Sequence, residues 1–100
     1  MVMPEQDWRT DETRALFETI IRLDSVDEAA DFFRDLCTRR ELEEMSQRWA
    51  VVTLLHQGLS YREIAERSGV STATVTRINQ WLTHGTGGYR QALDRLGEPA

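Results

Sequence analysis

The chain has no lysine among its 100 residues, so every one of its twelve basic side chains is an arginine. Cys37 stands alone, which excludes an internal disulfide and any cysteine cluster of metal-ligand spacing. It falls on an apolar helix face, as a buried thiol in a reducing compartment would. No apolar run approaches the length of a membrane span, and Met1 to Asp11 has no apolar stretch of the kind a secretory signal needs. The expectation is a cytoplasmic chain. His56 and His84 are far apart in sequence, and no nucleophile motif surrounds Ser46, Ser60 or Cys37. Thr83-His84-Gly85-Thr86-Gly87-Gly88 is rich in glycine but lacks the Gly-Lys-Ser/Thr ending of a phosphate loop, and no strand precedes it. No segment alternates with period two, and there is no long repeat. These absences argue against an enzyme, a metal site and a bound cofactor, and leave one domain's worth of helical chain.

The informative stretch is Ser60 to Leu82, SYREIAERSGVSTATVTRINQWL. Ser60 is a good helix N-cap, and Glu63 lies three residues on, where it can bond back to the Ser60 amide. A first short helix is predicted over about Tyr61 to Arg67. Gly69 offers the positive φ that a sharp helix exit commonly needs, and Ser71 can cap a second helix. Ile64, Val75 and Ile78 fall where the two helices would face each other, with the small Ala65 allowing close approach. This is the spacing of a helix-turn-helix, whose second helix enters the DNA major groove.

Upstream, apolar Leu16, Phe17, Ile20 and Ile21 recur at helical spacing within about Trp8 to Leu23. Ser25 with Glu28 makes a second capping-box pattern, ahead of a helix carrying Ala29, Phe32, Phe33 and Leu36. Thr38 with Glu41 makes a third. The longest helix follows, to about Gln57, with Leu42, Met45, Trp49, Val52 and Leu55 on a wide apolar stripe that Val51 and Leu54 broaden. Gly58 ends it. Beyond the glycine-rich turn, a last helix from Tyr89 to Leu96 offers Tyr89, Ala92, Leu93 and Leu96 to the core. Trp49 and Trp81 fit apolar stripes as core residues, and Trp8 is either exposed or packed across a dimer interface. The fold class is all-α with about six helices. Residues 1–37 form an N-terminal helical region suited to dimerisation, and residues 38–100 form the helix-turn-helix region.

Net charge is −5, yet it is unevenly spread. Residues 1–37 hold four Arg and ten acidic groups, whereas residues 38–90 hold seven Arg and five Glu. The acidic part is segregated from the part that would meet DNA. Arginine grips phosphate or guanine bidentately, so a modest local excess can suffice, with a shallow salt dependence.

On the second helix Val75 and Ile78 point inward, so Thr72, Ala73, Thr76, Arg77 and Gln80 lie largely outward. Short Thr and Ala side chains let a helix sit deep in the groove against thymine methyls. Gln80 suits adenine, and Arg77 suits guanine or phosphate. Ser71 and Thr72 sit at the helix N-terminus, where free amides favour phosphate. Arg62 can reach backbone or a base edge from the first helix.

These residues carry a family resemblance. Gln47-Arg48, Ser60-Tyr61-Arg62-Glu63-Ile64, Ser71-Thr72-Ala73-Thr74-Val75-Thr76-Arg77 and Gly85 through Tyr89 together resemble the Trp-repressor superfamily, most closely its YerC/YecD-like branch, over about Leu36 to Leu96. The resemblance implies an intertwined, all-helical homodimer with two projecting helix-turn-helix units. It implies a transcriptional regulator of a palindromic operator in double-stranded DNA, with half-sites about one helical turn apart. By matching positions, Arg62, Thr72, Ala73 and Thr76 would read DNA. Arg48 and Arg77 match the two arginines that sandwich an indole in Trp repressors, and so are the candidate ligand residues. However, Ile78 stands where those repressors have glycine, Trp81 stands where they have a small polar residue, and the region before Ser60 is about one residue shorter. The expectation is a repressor that does not take tryptophan as corepressor. A competing reading, favoured by the acidic net charge, is a protein-interaction module that uses the same helix pair to dock on the transcription machinery.

Overall fold

A computed structural model describes residues 8–97. Six helices follow one another: α1 (Asp11–Ile20), α2 (Val26–Leu36), α3 (Arg39–His56), α4 (Tyr61–Ser68), α5 (Thr72–His84) and α6 (Gly88–Leu96), with no strand among the described residues. The chain divides into two compact units, Met1–Arg39 and Arg40–Ala100.

In the first unit, α1 starts later than the apolar periodicity suggests. Thr10, not a residue near Trp8, is the N-cap: its hydroxyl accepts from the Thr13 amide while the Thr13 hydroxyl accepts from the Thr10 amide. Ser25 caps α2 by accepting from the Glu28 amide, but the return bond differs from the expected one. The Glu28 carboxylate accepts from the Asp24 amide, one residue earlier than a capping box requires. Neither helix buries a single residue. Phe17, Ile21, Val26 and Leu36 remain exposed, Ile21 at 80% and Val26 at 85%. Two helices joined by a short link cannot enclose a stripe this wide, and the aromatic rings find only near neighbours. Trp8 meets Phe17 edge-on at 6.1 Å, and Phe32 meets Phe33 edge-on at 5.5 Å.

The second unit has the core. Val51 and Val52 of α3, Ile64 of α4, Val75, Ile78 and Leu82 of α5 and Leu93 of α6 are buried together. Burying a side chain such as Ile64 contributes roughly 1.5–3 kcal/mol. Trp49, Leu54, Leu55, Leu59, Ala65, Val70 and Tyr89 close around them, with Trp49 and Tyr89 rings 6.1 Å apart. α3 is followed by Gly58, which takes a left-handed φ of 86°. The Gly58 amide donates to the Leu55 carbonyl and the Leu59 amide to the Leu54 carbonyl, which satisfies the helix's last acceptors. Two apolar side chains expected in the core are outside it: Leu96 is 70% exposed and Trp81 48% exposed. Leu96 lies in the final turn of α6, past Leu93, where the other helices no longer cover the chain.

Candidate nucleic-acid interface

The helix-turn-helix is built from α4 and α5. Ser60 accepts from the Glu63 amide at 3.2 Å, and Glu63 accepts from the Ser60 amide at 3.3 Å, so the capping box is reciprocal. Gly69 closes α4 with φ 77° and ψ 9°, its amide donating to the Ala65 carbonyl. Two residues later Ser71 caps α5 by accepting from the Thr74 amide at 3.1 Å. Ile64, Val75 and Ile78 meet beneath the turn with essentially no exposure. The turn thus has a cap at each end and an apolar anchor in the middle.

This arrangement decides what α5 shows to solvent. At 3.6 residues per turn each step rotates by about 100°. Val75, Ile78 and Leu82 occupy one flank and are buried, while Thr72, Ala73, Thr76 and Gln80 share the opposite flank and are exposed. Ser71 sits exposed at the N-terminal end of that face. The Thr76 hydroxyl donates to the Thr72 carbonyl at 3.0 Å, so the hydroxyl is turned back onto its own helix. No acidic residue occupies the first turn of α5, so its free amide ends are uncompensated. Arg62 is exposed on α4 and lies 4.0 Å from Glu66 in a solvent-facing pair, an attraction weak enough to yield to a phosphate.

Arg77 behaves differently. Its Nη2 donates to the Thr74 hydroxyl at 3.3 Å, and the side chain lines a cleft between α3 and α5 with Glu44, Gln47, Arg48, Thr74, Ile78 and Trp81. The cleft is open to solvent and has a volume of about 390 Å³. Ile78 forms its buried floor and Trp81 a half-exposed wall. Arg48 and Arg77 are therefore together, while Arg77 stands apart from the Thr72–Thr76–Gln80 face. Glu44, one turn before Arg48 on α3, lines the same cleft, and its carboxylate lies 3.6 Å from Arg40. Its position at i−4 from Arg48 is the sequence signal that marks it. Gln47 bonds the Ser68 carbonyl at 2.9 Å, 21 positions away, and no local pattern announces that contact.

Among the described residues no group of His, Cys, Asp and Glu could hold a metal, and no helix is long and apolar enough to cross a membrane.

Comparison with known proteins agrees with this architecture. Residues 11–97 match the family described as Trp repressor protein. The uncharacterized protein YerC of Bacillus subtilis (strain 168) is 39% identical over 90 residues, which is 90% of this chain and 86% of that one. The crystal structure of a TrpR like protein from Eubacterium eligens ATCC 27750 is 40% identical, covering 95% of this chain and 98% of that chain, with a TM-score of 0.87. An all-α order of six helices, a capped helix-turn-helix and likeness over nearly the full length of both relatives agree, and the chain belongs to the Trp repressor family.

Proposed function

We propose that this protein is a cytoplasmic transcriptional repressor that binds double-stranded DNA as a homodimer, with α5 of each protomer in the major groove. The observation that carries the reading is the exposed face of Thr72, Ala73, Thr76 and Gln80 on a helix whose opposite face is fully buried. Small side chains admit close approach to base edges, and Gln80 supplies an adenine-reading amide. Ser71 and the free amides of α5 receive a phosphate, and Arg62 anchors the backbone from α4. The family is one of DNA-binding regulators, which supports the same assignment. The apolar side chains left exposed on α1 and α2 supply a surface for a second copy. Two-fold symmetry then requires a palindromic operator with half-sites about one helical turn apart. Ile78 and Trp81 in the cleft of Arg48 and Arg77 support a repressor that works without tryptophan.

The test is selection of bound sequences from a random duplex pool by the purified protein with no added ligand. A palindromic motif is the expected result. Failure to enrich any sequence, with or without added metabolites, would transfer the helix pair to the protein-docking role.

A further inference from the structure

The turn between α4 and α5 decides how the reading face is presented, and one side chain holds that turn from outside. Ser68 is the last residue of α4, so its carbonyl has no partner within the helix. The Gln47 side-chain amide supplies one at 2.9 Å. Gln47 belongs to α3, the helix whose Val51 and Val52 are wholly buried in the core, and so it sits on a fixed base. The same residue lines the cleft opposite Thr74 and Arg77 of α5. A single side chain therefore leaves the anchor helix, bonds the end of α4 and lines the cleft whose other wall is α5. Its partner Ser68 directly precedes Gly69, whose left-handed backbone makes the bend and whose amide bonds back to the Ala65 carbonyl of α4.

We propose that Gln47 is a positioning residue for DNA recognition: it fastens the α4–α5 turn to α3 and thereby sets the angle at which α5 is offered to the groove. This inference rests on the DNA-binding reading above for its functional half, and on the Gln47–Ser68 contact alone for its structural half. Gln47 and the bond it makes are solvent-exposed. A bond in that setting adds little to overall stability, so its effect is local.

The test uses the full chain and the near-isosteric Gln47→Leu variant. Amide exchange followed by NMR reads the turn: the Gly69 amide is expected to exchange several-fold faster in the variant, while the Cys37 amide, bonded to the Phe33 carbonyl at the end of α2, keeps its rate. Equal acceleration at both amides, or none at Gly69, overturns the proposal. Binding is then measured on the duplex enriched from the random pool and on a scrambled duplex of equal length. The enriched duplex should bind about three- to tenfold more weakly to the variant, the loss of one net hydrogen bond, with the scrambled duplex unchanged. Equal weakening on both overturns a role in recognition geometry. If the unmodified protein enriches no duplex at all, the DNA-binding reading fails, and the Gly69 exchange rate alone decides whether Gln47 holds the turn.

Discussion

The Arg77 guanidinium donates to the Thr74 hydroxyl one turn back on α5, and that contact places it on the wall of the α3–α5 cleft and off the face shared by Thr72, Thr76 and Gln80. The two sets of residues on one helix should therefore answer differently to mutation. On the proposed DNA-binding reading, Arg77→Ala removes a cation that contacts the DNA backbone and not a base edge. The expected outcome is uniform weakening across duplexes, with the salt dependence reduced by roughly one ion and base preference retained. Binding curves at several salt concentrations on matched and mismatched duplexes read this. Loss of preference at a single base pair would assign Arg77 to base reading after all.

Thr76 lies at the centre of the exposed face, and a carboxylate there would face phosphates and base acceptors at close range. Like-charge juxtaposition of this kind costs several kcal/mol. Thr76→Glu should therefore weaken DNA binding by well over about tenfold. Thr76 is exposed, so helicity by circular dichroism should be unchanged. Undiminished binding to duplex DNA would mean that this face does something else.

The caps of α4 make a stability prediction that is independent of any ligand. Ser60→Ala leaves the Glu63 amide without its acceptor and should cost about 1 kcal/mol in urea unfolding. Gly69→Ala forces a Cβ into a left-handed conformation at φ 77° and should cost about 1–2 kcal/mol. The two sites lie at opposite ends of α4, so the double variant should lose close to the sum of both. A marked shortfall would indicate that α4 frays as a unit once either end is released.

Local chemistry made the helix-turn-helix legible in sequence. Ser60 with Glu63, Gly69 and Ser71 each act within three or four residues, and Ile64, Val75 and Ile78 are placed by helical period alone. The misreadings have physical causes. Apolar spacing alone puts the start of α1 near Trp8, whereas a reciprocal Thr10–Thr13 capping box begins the helix at Asp11. Trp81 matches the apolar stripe by spacing, yet it is 48% exposed because the stripe turns from the core toward the cleft along α5. Gln47 reaches across 21 positions to a backbone carbonyl, and a contact with a main-chain atom leaves no trace in side-chain patterning.

The apolar face of α1 carries a prediction about assembly. Phe17 and Ile21 lie one turn apart and are both exposed, next to Trp8, along a groove of about 530 Å³. If a second copy covers this face, Ile21→Glu places a charge against apolar surface and should shift the protein from dimer to monomer in sedimentation velocity. Ile21 is 80% exposed, so the change removes no core contact within a chain. DNA affinity should fall with it, because one protomer reaches only one half-site. A variant that stays dimeric would place the dimer contact elsewhere.

The cleft makes the last prediction. Arg48 and Arg77 bring two guanidinium groups to it, and Ile78 and Trp81 determine what else fits. Ile78 is 1% exposed and wedged among Val75 and Leu82, so its branched side chain cannot turn away to make room. Trp81 already presents an indole on the cleft wall. The cleft is open to solvent, so an indole entering it would lie against Ile78 and Trp81 without being enclosed between the arginines, and would bury little apolar surface in return. Titration of tryptophan into the protein by calorimetry should therefore give no saturable heat. Trp81→Ser should not restore binding by itself, since Ile78 still fills the floor. Affinity on the order of micromolar in either protein would overturn the assignment and make the cleft an effector site for that amino acid.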